Sequence, residues 1–296
     1  MKTKLIKQTV VSIVAVSALA ASSVSMARNQ GGINTIIGAD NNSRENPFIQ
    51  PQDPALSGGD RDQSLQFGDI LVGSRRDNLM IGGLGPDVII GGPRNDVIIG
   101  GIEHFNPSNR DRAYGGWGND IFIWKPGDGS DLFMGGPGHD VVVFGLIGEA
   151  VDGNVEFKVQ KDQKTAEVAL DPSSKLPRVD VTNSPGFCNV IDKSSSPEAK
   201  DELKALGLKH LVRFSLRGIA NDFEAGVQNE DNGLRVTLHL NSVETLICTN
   251  RDGGQIEVFD LTSTPARLVA SGVSSQELRK QIRSERLRQR LEQIVF

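Results

Sequence analysis

Eight positions along the chain share one context. Asp69, Asn78, Asp87, Asp96, Asp111, Asp120, Asp131 and Asp140 each precede three mainly apolar residues, and most follow a glycine-rich turn. The turns read GSRRDN, GGLGPD, GGPRND, GGWGND and GGPGHD, with a longer unit over 100–114 and an eleven-residue one, WKPGDGSDLFM, over 124–134. Paired glycines such as Gly82-Gly83 and Gly115-Gly116 admit positive φ and a turn too tight for a Cβ. A turn of that kind aims backbone carbonyls inward, and the acidic residue adds a carboxylate beside them. The donor set is oxygen throughout. It suits a hard cation, and calcium accepts the irregular coordination by roughly six to eight oxygens that such turns offer. The candidate metal-binding residues are therefore these eight side chains together with the turn backbone at Gly82, Gly85, Gly91, Gly115, Gly118, Gly135 and Gly138.

The elements that must position these groups follow from the period. From Gly73 the chain repeats every nine residues, as GSRRDNLMI, GGLGPDVII and GGPRNDVII, and a degenerate unit over 64–72 precedes them. The last three residues of a unit make a short strand whose middle side chain points into the stack. These inward residues are Leu71, Met80, Ile89, Ile98, Ala113, Phe122, Phe133 and Val142. Two units make one coil of a flattened roll, so turns alternate between its two edges. Cations then fall between turns two units apart: Asp87 shares with Asp69 and Asp111, Asp96 with Asn78 and Asp120, Asp131 with Asp111, and Asp140 with Asp120. Without cations the carboxylates of one edge stack and repel. The residues flanking each inward one face outward, and nearly all are apolar too, Val88 and Ile90 or Val97 and Ile99 for example; Arg112 breaks the run. A solvated sheet face alternates apolar with polar, so both faces of the roll need cover. Residues 151–296 are the nearest cover for one face. Residues 28–57, or a second copy of the chain, are candidates for the other.

Residues 64–143 resemble the hemolysin-type calcium-binding repeat of RTX proteins, GGxGxDxUx. The resemblance implies a parallel β-roll with Ca2+ as its cofactor, in an exported calcium-binding protein with a structural or interaction role. The chain departs from the pattern at several points. Arg76 and Arg94 stand where Gly85, Gly118 and Gly138 keep glycine, and Phe67 and Asn109 depart there as well. Asn78 removes a negative charge, so the Asn78–Asp96 site is expected to be the weakest. The segment 31–38, GGINTIIG, looks like a stray repeat turn cut off from the array. RTX proteins typically leave the cell with an uncleaved C-terminal signal, whereas this chain opens with a cleavable N-terminal one.

That signal is read over residues 1–27. Lys2, Lys4 and Lys7 precede an apolar run over 10–21, and Ser25-Met26-Ala27 sets cleavage after Ala27. The run is short for a bilayer about 30 Å thick. The expected destination is extracellular or periplasmic in a Gram-negative bacterium. The two cysteines, Cys188 and Cys248, are then expected to form a disulfide. The organisation reads as a signal peptide over 1–27, an N-terminal segment over 28–63, the β-roll over 64–145, a β-rich segment over 146–272 and a basic amphipathic helix over 273–296. The fold class is all-β dominated, with short helices. In the β-rich segment, strands are predicted at 155–159, 166–170, 178–181, 211–216, 234–240, 245–249 and 255–261. Ser196-Pro197-Glu198 opens a short helix that ends near Gly207. The last helix starts at a capping box over 274–277. Leu278, Ile282, Leu287, Leu291 and Ile294 give it an apolar face, which suits docking on the fold, and its arginines could also meet an anionic partner.

Composition and motifs exclude several functions. Net charge is −5, which argues against a nucleic-acid partner. No HExxH, GxSxG or GxxxxGK[ST] motif is present, and the four histidines are scattered. His139 is expected to face solvent, and His210 and His239 to be structural. The chain is read as no enzyme. The alternative is a calcium-stabilised extracellular enzyme acting on a polymer such as a polysaccharide, for which Tyr114, Trp117 and Trp124 would line a cleft. Calcium ions are the expected partners, with a protein or polysaccharide partner or self-association beside them, and no transmembrane segment in the mature chain.

Overall fold

The computed structural model describes residues 28–30, 33–38, 68–102, 110–151, 154–157, 168–217, 236–273 and 285–295. The segment 1–27 read as a signal peptide, the capping box expected over 274–277 and the long unit's His104 lie outside them.

Within the repeats each apolar triplet forms a strand and each glycine turn reverses the chain. The strands are β1 (Arg28–Gln30), β2 (Ile33–Ile37), β3 (Ile70–Val72), β4 (Asn78–Leu84), β5 (Val88–Gly92), β6 (Val97–Ile102), β7 (Arg112–Gly116), β8 (Ile121–Trp124), β9 (Leu132–Met134) and β10 (Val141–Phe144). They alternate between two sheets. One holds β2, β4, β6, β8 and β10 in parallel; the other holds β3, β5, β7 and β9 in parallel. This is the coil of two units expected from the period. Register is kept from rung to rung, for instance Met80 beside Ile98 beside Phe122 beside Val142. Identical positions therefore stack. All eight predicted inward residues are buried between the sheets, with Phe122 and Phe133 stacked at 5.0 Å between ring centroids.

The segment 31–38 is not cut off from the array. β2 lies against β4 with Asn34 beside Asn78, and β1 pairs antiparallel with β2 to finish that edge. The distance in sequence between 38 and 68 hid a pairing that the apolar Ile36 and Ile37 make possible.

The rest of the chain extends both sheets. The further strands are β11 (Leu146–Val151), β12 (Asn154–Phe157), β13 (Val179–Asp180), β14 (Gly186–Ile191), β15 (His210–Leu216), β16 (Val236–Asn241), β17 (Thr245–Thr249), β18 (Ile256–Asp260) and β19 (Arg267–Val273). β16 joins β9 in parallel and β17 joins β10 in parallel, so 236–249 winds one more coil onto the roll. The sheets then continue antiparallel through β15 and β14 on one side and β18 and β19 on the other. β11, β12 and β13 form a separate small sheet. The strand predicted at 166–170 does not form over 168–170, its described part: there only Leu170 makes a single bridge, to Pro177. Helix α1 (Pro197–Leu206) has Ser196 as its cap, with the Ala199 N–H donating to Ser196 Oγ, and ends at Gly207 in the left-handed region. Helix α2 (Glu285–Ile294) closes the described chain.

The outward stripe on the β4–β10 sheet is covered. Leu79, Ile81, Val97, Ile99, Ile121, Ile123, Val141 and Val143 are all buried against Ile147, Leu176, Val179 and Val181 and against Leu287, Leu291 and Ile294 of α2. The helix presents those three leucine and isoleucine side chains at helical spacing, which is why it docks. The other sheet keeps much of its outer face open: Ile70 is 68% exposed, Val72 62% and Ile90 41%, with Val88, Tyr114, Leu132 and Met134 half-buried. Cover of one face by residues from the tail is therefore found as expected; of the segment 28–57 offered as cover for the other face, the described residues 28–30 and 33–38 lie at the edge of the β4–β10 sheet instead, and 39–57 lie outside the described residues. The disulfide joins Cys188 of β14 to Cys248 of β17 and so ties one sheet to the other. Among the described residues no helix is long and apolar enough to cross a membrane.

Candidate metal-binding ladders

Because register is kept, the acidic residues fall into two rows. On the turns leading into the β3–β9 sheet, the backbone N–H of Asp69 donates to Asp87 Oδ1 at 2.6 Å. That of Asp87 donates to Asp111 Oδ1 at 2.7 Å, and that of Asp111 to Asp131 Oδ1 at 3.1 Å. On the opposite edge the N–H groups of Asn78, Asp96 and Asp120 donate to Oδ1 of Asp96, Asp120 and Asp140 at 2.7, 2.7 and 2.8 Å. Each carboxylate thus steps to its neighbour two units along, as the alternation of edges requires.

The second row runs one rung further than the repeats. The Asp140 N–H donates to Glu244 Oε2 at 2.7 Å. Sequence reasoning missed Glu244 because about a hundred residues separate it from the array and no glycine pair precedes it. Ser242 takes a positive φ of 51° there, and Ser242–Glu244 turns the chain where Gly135–Asp140 does so one rung earlier. The available signal was an acidic residue before Thr245-Leu246-Ile247, the same order as in the repeats.

The second carboxylate oxygen of each rung is the unusual one. Oδ2 of Asp96, Asp120, Asp131 and Asp140 is buried and has no hydrogen-bond partner among the described residues. A buried acceptor left in that state costs roughly 1–3 kcal/mol, more if charged. In Asp96, Asp120 and Asp140 this oxygen is aimed at the first glycine of its own turn. A Cβ built on Gly115 would lie 2.3 Å from Asp120 Oδ2 and 2.7 Å from the Gly135 carbonyl oxygen; on Gly135 it would lie 2.4 Å from Asp140 Oδ2 and 2.2 Å from the Ser242 carbonyl oxygen. Gly82 and Gly91 stand in the same relation to Asp87 and Asp96. Glycine is required here because a carboxylate oxygen and a carbonyl of the next rung crowd the same point. Gly85, Gly118 and Gly138 sit further along their turns, and a Cβ built on Gly138 would lie 1.5 Å from the Gly118 carbonyl oxygen.

Burial dominates the electrostatics. It pushes the carboxyls of Asp96, Asp131 and Asp140 up to about 7 and that of Asp120 up to about 8, against the lowering effect of the hydrogen bonds each accepts. Neighbouring carboxylates add to the rise, Asp140 and Asp96 on Asp120 and Glu244 on Asp140. The row through Asp131 has a cation of its own nearby. Lys125 Nζ lies 3.7 Å from Asp128 Oδ1, both buried, and Asp128 in turn raises its own carboxyl's affinity for protons through burial and the nearby Asp131. Neither Lys125 nor Asp128 stood out in sequence, since both fall in the irregular eleven-residue unit.

The residues present fit a hard cation in one respect: buried, unsatisfied carboxylate oxygens stand beside stacked backbone carbonyls. Among the described residues no three histidine, cysteine, aspartate or glutamate side chains gather at one point. Any cation here would draw on one or two carboxylates and on backbone oxygens. His139 is not simply solvent-facing as expected: its Nε2 lies 2.9 Å from Thr245 Oγ1, so it joins the turn to β17. Trp117 is exposed while Trp124 is buried beside Phe144 and Phe214, so the aromatic residues named for a cleft are not brought together. Comparison of the chain with protein-family models, curated proteins and solved structures finds no match.

Proposed function

We propose that the chain is an exported calcium-binding protein in which calcium completes two ladders of glycine-aspartate turns of the RTX, hemolysin-type kind, and that its role is structural or interactive rather than catalytic. The observation that carries this reading is the set of buried Oδ2 atoms on Asp96, Asp120, Asp131 and Asp140 with no hydrogen-bond partner among the described residues. Neighbouring rungs stand about 4.8 Å apart in a sheet, so ionised carboxylates repel along each row. Calcium supplies positive charge and takes oxygen ligands. Asp96, Asp120 and Asp140, with the carbonyls of Gly115 and Gly135, would hold it on one edge; Asp69, Asp87, Asp111 and Asp131 would hold it on the other. Glu244 would provide the last carboxylate of its row.

Export is supported by the basic, then apolar, opening of the sequence and by the Cys188–Cys248 disulfide, a bond favoured in oxidising compartments. Outside a cell, free calcium at millimolar level would fill sites of about 10⁻⁴ to 10⁻³ M affinity. At ten times Kd each site adds about 1.4 kcal/mol, so several together rival a domain's whole stability. Isothermal titration of the mature chain with calcium tests the reading. Saturable uptake of several ions is expected, with fewer bound by Asp120→Ala, whose carboxylate serves two rungs. No uptake at millimolar calcium would reject it.

A further inference from the structure

At one rung the ladder changes chemistry. Where Asp96, Asp120 and Asp140 present a buried Oδ2 lacking a hydrogen bond, Asn78 presents an amide nitrogen. Asn78 Nδ2 donates to Asp96 Oδ1 at 2.7 Å and to the Arg76 carbonyl at 2.7 Å, with the Ser74 carbonyl at 3.4 Å. Its Oδ1 accepts from the Ser74 N–H at 3.0 Å, from the Ser74 hydroxyl at 2.9 Å and from Asn34 Nδ2 at 2.9 Å. The Ser74 N–H can only donate and the Arg76 carbonyl can only accept, so the amide has one permitted orientation. A carboxylate oxygen and turn carbonyls, the groups a cation would gather, already face a fixed donor.

The turns on either side of this rung are also clamped from outside. Arg290 of α2 reaches across them: Nη2 pairs with Asp77 Oδ2 at 2.7 Å, and Nη1 donates to the Asn95 carbonyl at 3.1 Å. Asp77 and Asn95 precede the two ladder residues Asn78 and Asp96, so one guanidinium spans both turns. It is three-quarters or more withdrawn from solvent, its side chain being 15% exposed, where a paired charge is screened less than at the surface. The arginine arrives on the helix whose Leu287, Leu291 and Ile294 pack on the same sheet.

We infer that the rung between Asn78 and Asp96 needs no cation: the Asn78 amide occupies the place of an ion, and Arg290 supplies the positive charge. This end of the roll and the docked α2 then stay folded at calcium levels that empty the carboxylate rungs, and serve as the preformed end on which the Asp120 and Asp140 rungs close. The inference rests on the calcium reading, which gives the contrast between rungs its meaning. It also revises the expectation of a weak site at Asn78 into that of no site.

Hydrogen–deuterium exchange of the full mature chain, read by mass spectrometry across a calcium titration, tests it. Peptides over 115–124 and 135–144 should gain about tenfold or more protection on adding calcium, while 73–84 and 285–295 change less than about twofold. Asn78→Asp should make 73–84 respond to calcium like 115–124, and isothermal titration should count one more ion per chain. Arg290→Gln should raise exchange over 73–84 and 285–295 with calcium and without it. Loss of protection over 73–84 in step with 115–124 when wild type is treated with EDTA would overturn the inference alone. So would an Asn78→Asp chain that binds no additional ion. A calcium response in none of the four segments would instead bring down the calcium reading, and this inference with it.

Discussion

Gly115 shows how little space a rung leaves. Its missing Cβ would stand 2.3 Å from Asp120 Oδ2 and 2.7 Å from the Gly135 carbonyl oxygen, closer than real contacts come. Gly115→Ala must push the carboxylate or the next turn aside, and overpacking of this kind costs roughly 1–3 kcal/mol. A fall of that size in unfolding free energy is expected from urea titration at saturating calcium, and a variant as stable as wild type would contradict the placement of Asp120. At this scale the sequence was readable wherever the period held. Asp87, Asp96, Asp120 and Asp140 announce themselves by recurring after glycine pairs. Asn34, Lys125, Asp128 and Glu244 do not, because each lies far from the array in sequence or in an irregular unit whose length the period does not set.

The ladder is the element in which those residues act together, and burial gives it a pH dependence. Folded-state carboxyls at about 7 for Asp96, Asp131 and Asp140 and about 8 for Asp120 lie above the ordinary 3.8. The folded chain then holds protons that the unfolded chain has released. The stability these groups contribute is fully present below about pH 4 and is lost as pH rises through 7 to 8. Calorimetry in EDTA should therefore find a lower melting temperature at pH 8.5 than at pH 5.5. Calcium should abolish most of that difference by favouring the ionised form. A cation-free chain that gains stability over this range would contradict the burial of the carboxylates. The helix α2 depends on packing instead. Leu291 is buried among Leu287, Ile294 and the outward stripe of the β4–β10 sheet, so Leu291→Ala should cost about 2–5 kcal/mol, measured by chemical unfolding. The alternation of apolar residues located most tail strands, including β17 at Thr245–Thr249. It did not reveal β14 or β19, which mix glycine, asparagine and arginine with few alternating apolar positions and are held by pairing to β15 and β18. Nor could it show that β16 and β17 wind onto the roll, since strand partners far apart in sequence leave no local trace.

Across the whole molecule, array and tail form continuous sheets. β16 and β17 extend them in parallel, α2 and the segment around Val179 bury one outer face, and the disulfide joins the two sheets at the far end. Closing the sixty-residue span between the cysteines contributes about 4 kcal/mol on the chain-entropy model. The outer face with Ile70, Val72 and Ile90 exposed is an apolar surface of the described residues. The account's central claim is that cations complete the ladders, and that loosening them loosens everything stacked upon them. The most direct measurement is thermal unfolding of a chain spanning residues 28–296, followed by far-UV circular dichroism at neutral pH, in EDTA and in millimolar calcium. Several sites at about 1.4 kcal/mol each should raise the melting temperature by 10 °C or more, with strand signal gained before heating begins. Identical melting curves and identical spectra in the two conditions would contradict it.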